Sequence, residues 1–203
     1  MRGVLVVFEG VDGAGKSTQL ARLAERVAAR GREVVRRFEP TDGPIGREIR
    51  RRAREGPPLT PREELDLFVA DRREHVAEHV GPALARGAVV LQDRSFYSSA
   101  AYQGARPGLG LRPDEIVAMH AWCPRPDLVL VLDLPPADGL ERVARRGRGD
   151  AFEERSLQEA VRAAFLALAV DDPRLRVVDA RGPADEVAAA IWDHVAPLLD
   201  APG

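Results

Sequence analysis

The segment Gly10-Val11-Asp12-Gly13-Ala14-Gly15-Lys16-Ser17 leaves few folds open. It fits G-x-x-x-x-G-K-[ST], the loop whose backbone N–H groups close around phosphate oxygens. Its surroundings fit as well. The apolar run Val4-Leu5-Val6-Val7-Phe8 before it predicts a buried strand. The stretch from Lys16 to about Arg30 predicts a helix, with Leu20, Leu23, Ala24 and Val27 on one stripe. Glycines allow the tight approach, and the helix N-terminus adds positive partial charge. Gly10 through Thr18 is therefore read as a nucleotide-binding segment. In it Lys16 is expected to reach the β- and γ-phosphates of a nucleotide, and the Ser17 hydroxyl to ligate Mg²⁺. Among 30 Lys and Arg residues Lys16 is the single lysine. An otherwise arginine-only chain thus keeps a compact ammonium at the one place where a planar fork would not serve.

The rest of the chain alternates short apolar runs with helical patterns. Strands are expected at 33–38, 87–93, 127–132 and 175–178. Helices are expected from Arg47 to Glu55, from Thr60-Pro61 toward Ala85 with a kink at Pro82, from Arg112, from Pro135 to about Arg145, from Phe152 to Val170 and from Pro183 to Leu199. Such alternation argues an α/β fold, with a parallel five-stranded sheet flanked by helices and ligands beyond the C-terminal strand ends. Asp12, Phe38, Asp93 and Arg94 fall at or just after such ends and are expected to converge. Asp12 lies inside the phosphate loop, where its carboxylate would be repelled, so it should point away from the phosphates.

With 203 residues and a formal net charge of −2, the chain is expected to be one domain, 1–203, with no global pull toward nucleic acid or membrane. It holds no run of 18 apolar residues and no leader pattern, and Cys123 is its single cysteine. A cytoplasmic protein without internal disulfides is expected.

Four motifs occur together in order: Phe8-Glu9-Gly10-Val11-Asp12 with the phosphate loop, Glu39-Pro40-Thr41, Leu67-Phe68-Val69-Ala70-Asp71-Arg72, and Asp93-Arg94-Ser95 followed by Ser98 and Ala101-Tyr102-Gln103. The combination, which spans the chain to about residue 180, resembles the thymidylate kinases. The resemblance implies a P-loop NTPase fold of the nucleoside monophosphate kinase type, with a lid at about 145–153. It implies transfer of the ATP γ-phosphoryl group to dTMP with Mg²⁺, giving dTDP for dTTP biosynthesis, and a homodimer. It puts Arg94 and Arg50 on the dTMP phosphate, although any neighbour within Arg47, Arg51 and Arg52 could stand in for Arg50. It makes Asp93 a support for Mg²⁺ through water and aims Asp12 at the 3′-hydroxyl. It stacks Phe68 on the base, with Arg72, four residues on, donating to a base carbonyl. It sets Tyr102 against the sugar C2′ with Gln103 beside it, Ser98 near the base and Phe38 beside the nucleotide. No arginine stands in the phosphate loop, so the resemblance moves the catalytic arginine to the lid, at Arg146, with Arg148 a second candidate. The pattern departs at Asp150, which Ala151 follows where another arginine is usual.

Other readings compete. His75-Val76-Ala77-Glu78-His79 fits a zinc-protease pattern, but helices rich in His and Glu are more often solvated faces. His120 and His194 belong to no constellation. A regulatory GTPase would need a guanine-selecting lysine that this chain lacks. A deoxynucleoside kinase would phosphorylate a hydroxyl and need a general base, for which Glu39 is available.

Overall fold

Every residue of the first strand, β1 (Val4–Glu9), is buried. A strand can be apolar along its whole length only where both faces of its sheet are covered. The computed structural model, which describes residues 2–145 and 151–200, gives the reason. With β2 (Val34–Phe38), β3 (Val89–Asp93), β4 (Leu128–Asp133) and β5 (Leu175–Asp179), β1 forms a five-stranded parallel sheet in the order β2-β3-β1-β4-β5. The inner strands β1, β3 and β4 are buried nearly throughout, whereas the edge strands β2 and β5 carry exposed positions. Each fully buried Val, Leu or Phe of the inner strands contributes about 1.5–3 kcal/mol relative to an exposed one.

All five expected strands are present, with ends within two residues of expectation. Helix α1 (Lys16–Ala28) turns its predicted stripe of Leu20, Leu23, Ala24 and Val27 into the core. Helix α2 (Pro44–Glu55) starts three residues before the expected Arg47. Gly43 is extended and Pro44 takes the first helical position, where its fixed φ suits the turn and its missing N–H costs nothing. Helix α3 (Pro61–His75) opens with a capping box: Thr60 Oγ1 accepts from the Glu63 N–H and the Glu63 carboxylate accepts from the Thr60 N–H. The single helix expected to run to Ala85 is interrupted. A π-helical turn, Val76–Val80, separates α3 from α4 (Gly81–Ala85), and the Gly81 N–H bonds to Val76 O. Pro82 has no N–H and its ring crowds the preceding turn, so a wider turn just upstream absorbs it.

The remaining helices are α5 (Phe96–Tyr102), α6 (Pro113–Met119), α7 (Pro136–Ala144), α8 (Ala151–Asp171) and α9 (Ala184–Asp200). The Ser95 hydroxyl caps α5 by accepting from the Tyr97 N–H at 3.2 Å. In register, Phe8 and Phe38 both pair with Asp93. The C-terminal ends of β1, β2 and β3 are therefore level, and Glu9, Glu39 and Arg94 leave the sheet side by side.

Candidate active site

The loop between β1 and α1 is built on backbone that side chains would block. At Gly10 (φ 135°) a Cβ would lie 2.6 Å from Leu132 O, and at Gly13 (φ 80°) one would lie 2.2 Å from Gly139 O. Inside the loop, Lys16 Nζ donates to Gly10 O at 3.0 Å and to Val11 O at 2.9 Å. Its burial, with Arg94 nearby, pulls the ammonium down to about 8. The Ser17 hydroxyl donates to Asp93 Oδ2 at 2.7 Å, and Thr18 stands exposed beside it in the first turn of α1. Ser17 is exposed and Asp93 half-buried, so an alcohol oxygen and a carboxylate meet at an accessible spot next to the phosphate loop. Oxygen donors of this kind are what Mg²⁺ takes.

Arg94, just past the end of β3, adopts φ 70°, the left-handed region that a non-glycine residue enters only at a cost of about 1–3 kcal/mol. Two bonds hold it there: its N–H donates to Phe8 O at 2.9 Å, and Gln92 Nε2 donates to its carbonyl at 2.8 Å. The side chain turns to pair with the Asp12 carboxylate, reaches Ser98 Oγ and Tyr102 OH at 3.3 Å each, and lies over the Tyr102 ring at 4.8 Å. Burial alone would lower the guanidinium pKa, but Tyr102 and Asp12 outweigh it, and the net shift is upward. For Asp12 burial works upward, and Arg94 and Lys16 hold the carboxyl below its ordinary range. As expected, that carboxylate turns out of the phosphate loop.

It turns toward a cavity of about 550 Å³. Asp12, Arg50, Phe68, Arg72, Arg94, Ser98, Tyr102 and Gln103 all line this cavity, contributed by the phosphate loop, α2, α3, the end of β3, and α5 with the residue that follows it. Arg52 and Arg106 line it too, and Arg106, in the loop after α5, pairs with Glu64 of α3 at 2.8 Å. Five arginines against three carboxylates give its wall a positive balance, which suits an anion. Arg50 is aimed by backbone: it donates to Pro40 O at 2.6 Å and Thr41 O at 2.7 Å. Phe38 does not join the group. It ends the edge strand β2 with 45% of its surface exposed and is absent from the cavity wall, because strand alternation turns Glu39, the next residue, inward instead. Arg146 and Arg148 lie outside the described residues.

Behind the cavity is a buried polar network that sequence reasoning did not find. Glu39 accepts from Arg72, His75 and Gln92. Burial pushes its carboxyl up, but Arg72 and His75 outweigh this and hold it low. Both its oxygens are committed, so it is not the free general base that hydroxyl phosphorylation would require. The His75 ring of the zinc-like pattern is turned into the core onto this carboxylate, while His79 is exposed. His120, set aside from the sequence, is fully buried against Arg72. Gln158 of α8 was also unforeseen. It accepts from the Asp12 N–H at 3.0 Å and donates to Asp12 Oδ2 at 2.9 Å. Glu9 could have been suspected, as a carboxylate closing an otherwise apolar strand. It accepts from Ser95 and twice from Ser98, and burial raises its pKa to about 7.

A protein-family model described as thymidylate kinase matches residues 8–191. The chain is 48% identical over 188 residues to the thymidylate kinase of Xanthomonas euvesicatoria pv. vesicatoria strain 85-10, covering 91% of this chain and 80% of that protein. It is 42% identical over 199 residues to that of Desulfotalea psychrophila, covering 97% of this chain and 96% of that protein.

Proposed function

The chain belongs to the thymidylate kinase family and phosphorylates dTMP in nucleotide biosynthesis; from that premise we propose that ATP·Mg²⁺ sits in the Gly10–Thr18 loop and dTMP in the adjoining cavity, with in-line transfer giving dTDP. The observation that supports this reading is that Asp12 belongs to both places: its backbone is part of the phosphate loop and its carboxylate lines the cavity. Two anionic ligands are thereby held end to end.

The acceptor is a phosphate, already anionic and nucleophilic, so no general base is needed. What the chain must supply is charge neutralisation and alignment. Lys16 leaves its loop carbonyls for the β- and γ-phosphates. Ser17, with Asp93 through water, would hold Mg²⁺, which when bound neutralises phosphate charge. Arg94 and Arg50 bind the dTMP phosphate, and Asp12 accepts from the 3′-hydroxyl. Phe68 stacks on thymine, with Ser98 and Gln103 at the base. Arg72 donates to a base carbonyl and Tyr102 closes on C2′ against ribose. Arg146, or Arg148 beside it, supplies the transition-state arginine from a lid at about 145–153. Residues 1–203 act as one domain, as a homodimer in the cytoplasm; no helix among the described residues is long and apolar enough to cross a membrane.

The test is a coupled ADP-release assay with ATP·Mg²⁺ against dTMP, dUMP, UMP, dCMP, AMP and thymidine. Strong preference for dTMP is expected. Turnover of thymidine in place of dTMP would overturn the acceptor assignments while leaving the phosphate loop intact.

A further inference from the structure

Arg72 lines the cavity yet is only 2% exposed, and nearly all of its hydrogen-bonding capacity is committed. A guanidinium carries five N–H donors. Nε donates to Glu39 Oε2 at 2.8 Å, and Nη2 lies 2.7 Å from the same oxygen. Nη2 also donates to Ser99 Oγ at 3.1 Å, and Nη1 to His120 Nε2 at 2.8 Å. Among the described residues one N–H of Arg72, on Nη1, has no partner. Its direction depends on the partners that clamp the guanidinium plane. Glu39 and Ser99 sit on the side of Nε and Nη2; His120 alone holds the nitrogen that carries the free donor.

His120 is built for that task. Its Nε2 can accept only if the ring is neutral with its proton on Nδ1. Nδ1 lies 2.7 Å from Ile116 O, a carbonyl that can only accept, so the backbone of α6 selects the tautomer. Burial and the charge of Arg72 keep the ring unprotonated down to about 4. The ring stacks on Phe96, centroids 5.6 Å apart and planes within 12°, so it cannot swing aside. Phe96 in turn follows the Ser95 cap at the end of β3, which ties the imidazole to the element that presents Arg94.

We propose that His120 is a positioning residue for acceptor-base selection: it points the one uncommitted N–H of Arg72 at the base, so that the cavity takes a base with a carbonyl oxygen there and rejects one with an amino group. This rests on the cavity being the dTMP site. An amino group opposite Arg72 sets donor against donor and leaves both unpaired in a buried place, the situation in which enzymes discriminate most strongly.

The experiment compares kcat and KM for dTMP and dCMP in the wild type, His120→Phe and His120→Gln, each checked for folding by thermal melting. Phenylalanine keeps the ring and its stack on Phe96 but has no acceptor. Glutamine loses the ring but offers Oε1 to Arg72. Positioning predicts that His120→Phe raises the dTMP KM about tenfold or more and lowers the dTMP-over-dCMP ratio of kcat/KM by a similar factor, with kcat at saturating dTMP within about threefold. His120→Gln is predicted to retain most of the ratio although it packs worse. A purely structural role predicts the reverse order, and that order, or an unchanged ratio in folded His120→Phe, overturns the inference. Should His120→Phe not fold, His120→Asn, too short to reach Arg72, takes its place with the same expected loss. A wild type that ignores dTMP would instead overturn the acceptor reading itself.

Discussion

Glu9 shows how one side chain can make the phosphate end of the molecule sensitive to pH. It ends β1 fully buried, with Lys16 and Arg94 the cations facing it and Ser95 and Ser98 its hydrogen-bond donors. Burial dominates and raises its pKa from 4.5 to about 7. The sign follows from linkage. Between those two values the folded chain holds a proton that the unfolded chain has released, so stability falls as pH rises through this window and levels off above it. Replacing Glu9 by glutamine removes the titration while its amide oxygen can still accept from Ser95 and the Ser98 N–H. The melting temperature of the wild type minus that of Glu9→Gln should therefore decline from pH 4.5 to about 7, leaving the variant the more stable protein at pH 8. Parallel melting curves across that range would show that the carboxyl is already ionised at pH 5.

At the scale of elements, the phosphate loop is shaped from behind by α7 as much as by its own glycines. A Cβ at Gly139, within α7, would lie 2.2 Å from Asp12 O, and Arg142, one turn on, reaches Gly13 O at 3.4 Å. Backbone touches backbone here, so neither side can yield as a flexible side chain would. Gly139→Ala isolates the contact, because Gly139 lacks the positive φ that would strain a substitution at Gly13. The variant should lose about 1–3 kcal/mol of stability, the usual cost of overpacking. Its KM for ATP should rise more than its KM for dTMP, as read by denaturant unfolding and two-substrate kinetics; an equal rise in both would place the disturbance in the cavity instead. Nothing in the sequence announces this contact, and the reason is general. Strands β1, β3 and β4 were legible because burial on both faces leaves an uninterrupted apolar run, and α3 because Thr60, Pro61 and Glu63 spell out a cap. That Arg94, Phe68 and Tyr102 come together on one cavity wall was legible because each sits in a recognisable run of neighbours. Gln158 meets Asp12 across 146 residues and His120 meets Arg72 across 48, the first a single residue on an ordinary helix and the second the residue that closes α6. Only the folded chain brings such partners together. Phe38 failed for the complementary reason: a strand end marks a place near the site without saying which of two successive side chains turns inward.

For the whole molecule, the near-balance of 30 basic and 32 acidic residues hides an uneven division of labour. Many arginines sit on the surface in short-range pairs with carboxylates, such as Arg51 with Glu48, Arg62 with Asp66 and Arg145 with Glu141. Exposed pairs of this kind contribute about 0–1 kcal/mol each. Others converge on the cavity, whose wall carries Arg50, Arg52, Arg72, Arg94 and Arg106. The single amine among the basic side chains is Lys16, and its pKa, pulled down by burial to about 8, puts its titration where no guanidinium titrates. A lysine-selective anionic aldehyde such as pyridoxal phosphate, followed by borohydride, should therefore find one target side chain in the entire protein. Intact-mass and peptide analysis should show one lysyl adduct per chain, at Lys16, with activity lost in proportion. The labelling rate should climb as pH passes about 8, far below the onset for an ordinary lysine. ATP should slow labelling and inactivation alike, because occupied phosphate sites both cover the amine and favour its charged form. An adduct at Lys16 that left turnover intact, or that formed equally fast under saturating ATP, would mean that the ammonium does not leave Gly10 O and Val11 O for the phosphates, and the loop would then bind its ligand through backbone N–H groups alone.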